Sequence, residues 1–324
     1  MVISHSYKDI ISLENLLEAW KEFLKGKRGK KDIQDFERDL MKNIISLHND
    51  LVSKTYEHSA YQAFNISDPK PRSIHKASVR DRLLHHAIYR ILYSDFDKTF
   101  IADSYSCRKL KGTHKALDRF RKFVYKVSEN NTKTCWVLKC DVRKFFASVD
   151  QGVLLEIVGK YIKNEDINWL LSQIVKSFSS TKEEVGLPLG NLTSQLLVNV
   201  YMNEFDHFVK HKLKAKYYIR YADDFVLMHQ DKEYLVTNLR YIANYLGQEL
   251  KLQLHPDKIL IKTLSSGIDF LGWVHFYNHR VLRTSTKRKM MKRLKETNNK
   301  PETVQSYLGM LRHGNTQRIK ALIT

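Results

Sequence analysis

Three aspartates carry the plainest chemistry in this 324-residue chain. Asp141 closes the short, apolar, β-prone run Cys135–Val142, and Asp223-Asp224 stand 82 residues beyond it, between the β-prone runs Tyr217–Tyr221 and Phe225–Met228. A buried carboxylate without a partner is costly, and neighbouring carboxylates repel each other's charged forms. A divalent cation relieves both. Magnesium takes oxygen ligands, commonly one or two carboxylates plus substrate phosphates, so acids from two adjacent strands could hold a metal pair. One ion would acidify an attacking hydroxyl and the other would stabilise the pyrophosphate leaving an in-line phosphoryl transfer. An isolated Asp-Asp pair is more often a solvated turn, so the surroundings decide the reading.

Those surroundings alternate between strand and helix patterns. Leu13, Leu16, Leu17, Trp20, Phe23 and Leu24 predict a helix over Ser12–Leu24. After the basic run Lys25–Lys31, a second helical pattern passes through Phe36, Leu40, Ile44, Ile45 and Leu51, and a third covers Val79–Tyr93. Between them, the prolines of Asp68-Pro69-Lys70-Pro71-Arg72 favour extended, exposed backbone. Further helices are expected over Val153–Tyr161, Ile167–Phe178, Ser194–Lys210 and Tyr234–Leu250. The 217–228 stretch reads as a hairpin with its two acids at the tip, and Ile268–Phe276 as a second hairpin. The pattern predicts an α+β or α/β core built around three carboxylates.

Charge names the class of partner. Lys+Arg number 55 against 35 Asp+Glu, a net charge of +20, in a chain with 43% apolar residues and only 12 Gly and 5 Pro. That composition is globular and excludes disordered or collagen-like readings, so the excess sits on a folded surface suited to a polyanion. No apolar run approaches the roughly 18 residues of a membrane span, and the N-terminal stretch, holding Asp9 and Glu14, is unlike a secretory signal. Cys107, Cys135 and Cys140 form neither an even set nor a zinc spacing. The expectation is a cytoplasmic protein with nucleic acid, not membrane, as partner. From Arg280 onward there are 12 Lys+Arg against 2 acids, so this expected helical tail carries a net +10, half of the whole excess.

Tyr221-Ala222-Asp223-Asp224, preceded by Leu138-Lys139-Cys140-Asp141-Val142-Arg143-Lys144-Phe145-Phe146, resembles the palm of reverse transcriptases, and the likeness runs in family order from about Tyr61 to Phe276. The resemblance implies an α+β right-hand polymerase fold, with an N-terminal extension and helical, basic fingers over 1–134. The palm sheet with flanking helices follows over 135–276, with a fingers-proximal segment near 160–190, and a short helical thumb over 277–324. It implies two Mg2+ ions, replaceable by Mn2+, on Asp141, Asp223, Asp224 and the backbone of Val142. Lys70-Pro71-Arg72 and Arg80 look like the fingers cations that grip an incoming deoxynucleoside triphosphate, which suits the preference of phosphate for Arg forks and Lys point charges. Tyr105-Ser106-Cys107-Arg108 with Lys111-Gly112-Thr113-His114 is similar to the next block, near template and nucleotide. Phe146 matches the steric gate that refuses a ribose 2′-hydroxyl. Asp257-Lys258 resembles the block whose lysine approaches the phosphates, and Phe270-Leu271-Gly272-Trp273 the primer grip. Lys287, Arg288, Lys289, Lys292 and Arg293 would meet the template-primer backbone.

Gly186-Leu187-Pro188-Leu189-Gly190-Asn191-Leu192-Thr193-Ser194-Gln195 departs from the commoner pattern of Gln before the second glycine and Pro after the serine. This form resembles reverse transcriptases of diversity-generating retroelements, a branch of the group II intron-like lineage found in bacteria, archaea and phages. The resemblance implies cDNA copied from a template RNA with errors at template adenines, and a small basic accessory variability protein as partner. Leu189 and Gln195 would line the base-pair pocket, where Leu189 offers only dispersion and shape. Two rival readings are an anti-phage defence or group II intron-like reverse transcriptase, and an inactive maturase-like RNA-binding scaffold, against which the intact triad argues. His207 and His211 lie one helical turn apart but lack the glutamate of a zinc protease motif, so no metal is assigned to them.

Overall fold

The computed structural model describes residues 5–66, 71–180 and 182–323. The chain folds into two compact units: Met1–Ala102, Arg143–Phe208 and Tyr245–Gln253 build the first, and Asp103–Val142, Val209–Asn244 and Leu254–Thr324 the second. Among the described residues the strands are β1 (Gln62–Ile66), β2 (Arg72–Lys76), β3 (Trp136–Asp141), β4 (Tyr218–Tyr221), β5 (Asp224–His229), β6 (Leu260–Thr263), β7 (Ile268–Phe270), β8 (Trp273–His275) and β9 (Arg280–Leu282). Every strand pair within the three sheets is antiparallel and helices carry most of the remaining chain, an α+β arrangement. No described helix is long and apolar enough to cross a membrane.

The first unit is mainly helical. The helix Leu13–Phe23 begins where the Ser12 side chain accepts from the Asn15 N–H, and it buries Leu16, Ala19, Trp20 and Phe23 along one face. The pattern expected through Phe36 to Leu51 divides at Asp39 (φ −113°, ψ 35°) into Lys31–Arg38 and Leu40–Val52. Ser78 caps the long helix Val79–Thr99, while Asp150 and Asn164 cap Gln151–Tyr161 and Glu165–Lys176. Arg72 stands at the head of β2, paired with Ile66 in a two-stranded sheet and exposed, as the extended, exposed backbone expected there. Residues 67–70, and with them the rest of that extended segment apart from Pro71, lie outside the described residues.

The second unit is organised by a sheet of order β4-β5-β3-β6. The helix Thr113–Val127 packs against β4 and β5, burying Ala116, Leu117, Phe120, Phe123, Val124 and Val127 at helical spacing. A smaller sheet, β7-β8-β9, turns at Leu271-Gly272, both left-handed (φ +49° and +85°), as a two-residue hairpin loop demands. Ile268, Phe270, Trp273 and Leu282 from this sheet share one core with Phe120 and with Met290, Leu294 and Leu311 from the tail helices Thr284–Glu296 and Pro301–Leu311. Each such side chain contributes about 1.5–3 kcal/mol when fully buried. That anchorage leaves most of the tail's cations exposed on the opposite faces.

Candidate active site

Asp141 is the last residue of β3, which is paired on both sides. The β3–β5 register sets Asp141 opposite Asp224, and the β4–β5 register sets Tyr221 opposite Asp224. Ala222 and Asp223 are therefore the two residues of a tight hairpin turn. Ala222 is left-handed (φ +56°), which costs a residue with a Cβ roughly 1–2 kcal/mol and persists only where the surroundings enforce it. Arg220, 1% exposed, does the enforcing: it donates Nη1 to Ala222 O and Nη2 to Ser104 Oγ, each at 3.1 Å. Val142 N–H donates to Asp223 O at 3.1 Å, and His255 N–H to Asp141 O at 2.8 Å.

The electrostatics show how much positive charge this corner wants. Lys258 Nζ sits 2.7 Å from Asp141 Oδ1, donating a hydrogen bond. Lys139 Nζ stands 3.7 Å from Asp224 Oδ1, too far for a hydrogen bond, and that buried oxygen has no hydrogen-bond partner. Burial pushes the Asp224 carboxyl up to about 7; Lys139 opposes the shift, while Asp141, Asp223 and Asp269 add to it by repulsion. Asp269 is itself ion-paired with Arg283. Among the described residues no three His, Cys, Asp or Glu side chains converge closely enough to ligate one ion, and the two lysines supply the cationic complement. The donor type, carboxylate oxygens with one left unpaired, fits a hard divalent cation. Arg220, Lys139 and Asp269 were not singled out from sequence; the one available signal was a charged residue, Arg220, inside an apolar β run.

The second unit also holds the remaining residues expected on its side. Lys258 ends a 3-10 turn, Pro256–Lys258, and Phe270 and Trp273 are paired across the Leu271-Gly272 turn. Lys287, Arg288 and Lys292 form one stripe of the helix Thr284–Glu296 together with Met291 and Lys295. Lys289 and Arg293 are exposed on the same helix, Arg293 near Glu296 at 3.6 Å. Val142, whose backbone was expected at the metal, donates its amide N–H to Asp223 O.

The first unit holds Arg72, Arg80, Phe146, Leu189 and Gln195. Arg72 is exposed, whereas Lys70 lies outside the described residues. Arg80 donates to Asp50 at 2.5 Å and lies over the Tyr56 ring at 5.0 Å, so contact with a triphosphate requires the Asp50 pair to open. Phe146 is half-buried in the short helix Phe145–Ser148, its ring 5.6 Å from that of Phe145. Leu189 is half-buried, and its carbonyl accepts from His75 N–H of β2 at 3.1 Å, while Asn191 Nδ2 donates to His75 O at 3.1 Å. Gly190 between them has φ +114°, and a Cβ there would stand 3.0 Å from Ile74 Cγ2, so glycine is what lets this stretch dock on β2. Gln195 follows, half-buried, in the first turn of Leu192–His207.

The fold and the facing carboxylates define a polymerase palm. Two telomerase structures share this right-hand polymerase fold: apo telomerase from Candida tropicalis (TM-score 0.53, 12% identity, 75% of this chain and 60% of that one) and telomerase from Candida albicans with a fragment of telomeric RNA (TM-score 0.53, 11% identity, 78% and 54%). A family model described as reverse transcriptase (RNA-dependent DNA polymerase) matches residues 66–275, and the chain belongs to that family. Protein YkfC of Escherichia coli K12 is 26% identical over 256 residues, spanning 67% of this chain and 65% of its own. The group II intron-encoded protein LtrA of Lactococcus lactis subsp. cremoris is 23% identical over 300 residues, spanning 71% of this chain and 48% of its own. The chain thus spans less than two thirds of the length of either relative.

Proposed function

We propose that this chain is an RNA-directed DNA polymerase that extends a primer 3′-hydroxyl with deoxynucleotides on an RNA template and releases pyrophosphate. The observation that carries the reading is the in-register pair Asp141–Asp224 with Asp223 on an enforced turn beside it. Asp141, Asp223 and Asp224 would hold a pair of Mg2+ or Mn2+ ions. When bound, such a pair supplies charge stabilisation and a lowered hydroxyl pKa. Lys258, already on Asp141, reaches the triphosphate side of the site, and Arg72 grips the phosphates. The Phe146 ring crowds a ribose 2′-hydroxyl, Phe270 to Trp273 steady the primer, and the cations of Thr284–Glu296 follow the duplex backbone. In these terms residues 1–134 are N-terminal extension and fingers, 135–276 palm and 277–324 thumb. Purified protein should extend a primer on RNA with deoxynucleotides and Mg2+, and Asp223→Asn should lose that activity with an unchanged melting temperature. Full extension by Asp223→Asn would refute the assignment.

The finer reading is a diversity-generating retroelement enzyme, working in the cytoplasm with a structured template RNA and a small basic accessory protein, and error-prone at template adenines. Leu189 supports it, since an aliphatic side chain can judge a base pair only by shape. A second reading, a group II intron-like reverse transcriptase, is favoured by the similarity to the group II intron-encoded protein LtrA. Error spectra separate the two: errors concentrated at template adenines favour the first, and uniform errors the second.

A further inference from the structure

Away from the carboxylates, the second unit contains a cavity of about 390 Å³ bordered by the helix Thr113–Val127, the segment from β8 to β9, and residues 312–315. Its walls are basic and aromatic, with Arg121, Arg280 and Arg312 among Phe120, Phe276 and Tyr277. Arg280 is held on several sides: Nη2 reaches Asp118 Oδ1 at 3.5 Å, Nε donates to His313 O, and the guanidinium lies 5.7 Å from the Trp273 ring. Its Nη1 is nevertheless buried without a hydrogen-bond partner. His275, 4% exposed, also lines the cavity and leaves Nε2 buried without a hydrogen-bond partner. In a neutral ring each nitrogen is either the donor or the acceptor, so this one can serve a ligand in either sense. Tyr277 is fixed in place, its hydroxyl accepting from Cys135 N–H and donating to Lys133 O.

A buried guanidinium donor and a buried ring nitrogen left unpaired in the same cavity are costly unless a ligand completes them. We propose that this cavity binds a single nucleotide, with its phosphate among the three arginines, its base against the aromatic wall, and a hydroxyl or amino group on His275 Nε2. Arginine forks match phosphate, rings accept any base face, and the volume suits a nucleotide rather than a bare phosphate. The nucleotide is either free or one unpaired residue of a strand.

Binding of AMP, adenosine and a single-stranded RNA 10-mer to the full-length protein, measured calorimetrically in EDTA, tests the site. Arg121→Gln/Arg312→Gln should weaken binding about 10-fold or more, and adenosine should bind about 10-fold more weakly than AMP. Asn278→Trp, which fills the mouth of the cavity without changing charge, should weaken binding similarly. Lys287→Gln/Arg288→Gln, an equal loss of charge on the tail helix, should leave AMP affinity unchanged. AMP binding abolished in the cavity variants assigns a free nucleotide. Strand binding without AMP binding, abolished in Asn278→Trp, assigns a strand residue. Adenosine binding as tightly as AMP, or affinity unaltered in both cavity variants, overturns the proposal. Asp223→Asn should bind like the wild type, which keeps this site separable from the polymerase reading.

Discussion

Replacing Arg220 by Met tests whether the acid-bearing turn is enforced by its buried neighbour. The substitution removes the donors to Ala222 O and Ser104 Oγ, both at 3.1 Å, from a position only 1% exposed. Hydrogen bonds from a charged group contribute about 1.5–3 kcal/mol each, so the gross loss is about 3–6 kcal/mol. Removing the whole guanidinium also returns part of its desolvation cost, which brings the expected net destabilisation to about 2–4 kcal/mol. Freed of its donor, Ala222 can leave the left-handed region, and Asp223 moves with it. A displacement of about 1 Å at a reacting centre costs on the order of 100-fold in rate. Calorimetry should therefore show a melting temperature lowered by several degrees, and single-turnover primer extension on RNA a loss of about 100-fold. Arg220→Lys, which keeps the charge but cannot fork, should fall between. A variant Arg220→Met that melts with the wild type and extends within about twofold of it would refute the reasoning.

Leu189→Gln should lower misincorporation at template adenines by about 10-fold, the scale of one restored polar interaction, and sequencing of cDNA would read it; an unchanged adenine spectrum sinks the role given to Leu189. Neutralising Lys287, Arg288, Lys289, Lys292 and Arg293 together should flatten the log–log salt dependence of template-primer binding by about 0.9 for each duplex phosphate left without its cation, while an unchanged slope moves the binding face elsewhere. Burial holds His275 down to about 3, so its ring stays neutral in the fold but takes up a proton on unfolding below its ordinary 6.5. Because the unfolded state then binds more protons, this contribution to stability is complete above pH 6.5 and shrinks as pH falls towards 3, by about 1.4 kcal/mol per pH unit. His275→Gln should remove that slope from thermal unfolding measured between pH 7 and 4.5; an identical slope would show that His275 is protonated in the fold.

The features legible in sequence are those written locally. The helices expected from Ser12, Val79, Val153 and Ile167 begin within two residues of those positions, each behind a capping side chain, Ser12, Ser78, Asp150 or Asn164. The β-prone runs around Asp141 and Asp223-Asp224 become β3, β4 and β5, because their apolar character is that of strands covered on both faces. What stayed hidden depends on partners far along the chain. Arg220 meets Ser104 across 116 positions and Lys258 meets Asp141 across 117, and neither pairing leaves a periodic trace. Asp39 breaks a helix through its own backbone angles alone, and β9 exists only because β8 offers it an edge. The cavity behind Arg121 and Arg312 has the same origin, since its walls come from segments nearly 200 residues apart.

The facing of Asp141 and Asp224 ends a ladder that begins at Trp136 and His229, six rungs in all, with no bulge between. A sheet of this kind works as a ruler. Changing a side chain on any rung alters packing by a bounded amount, but adding or dropping one residue moves every later side chain to the opposite face. Such an indel in β3 or β5 would turn a carboxylate into the core and an apolar residue towards the proposed metal site. Length, more than identity, is thus the quantity this palm must preserve, and strands exchanged with a relative would have to match rung for rung.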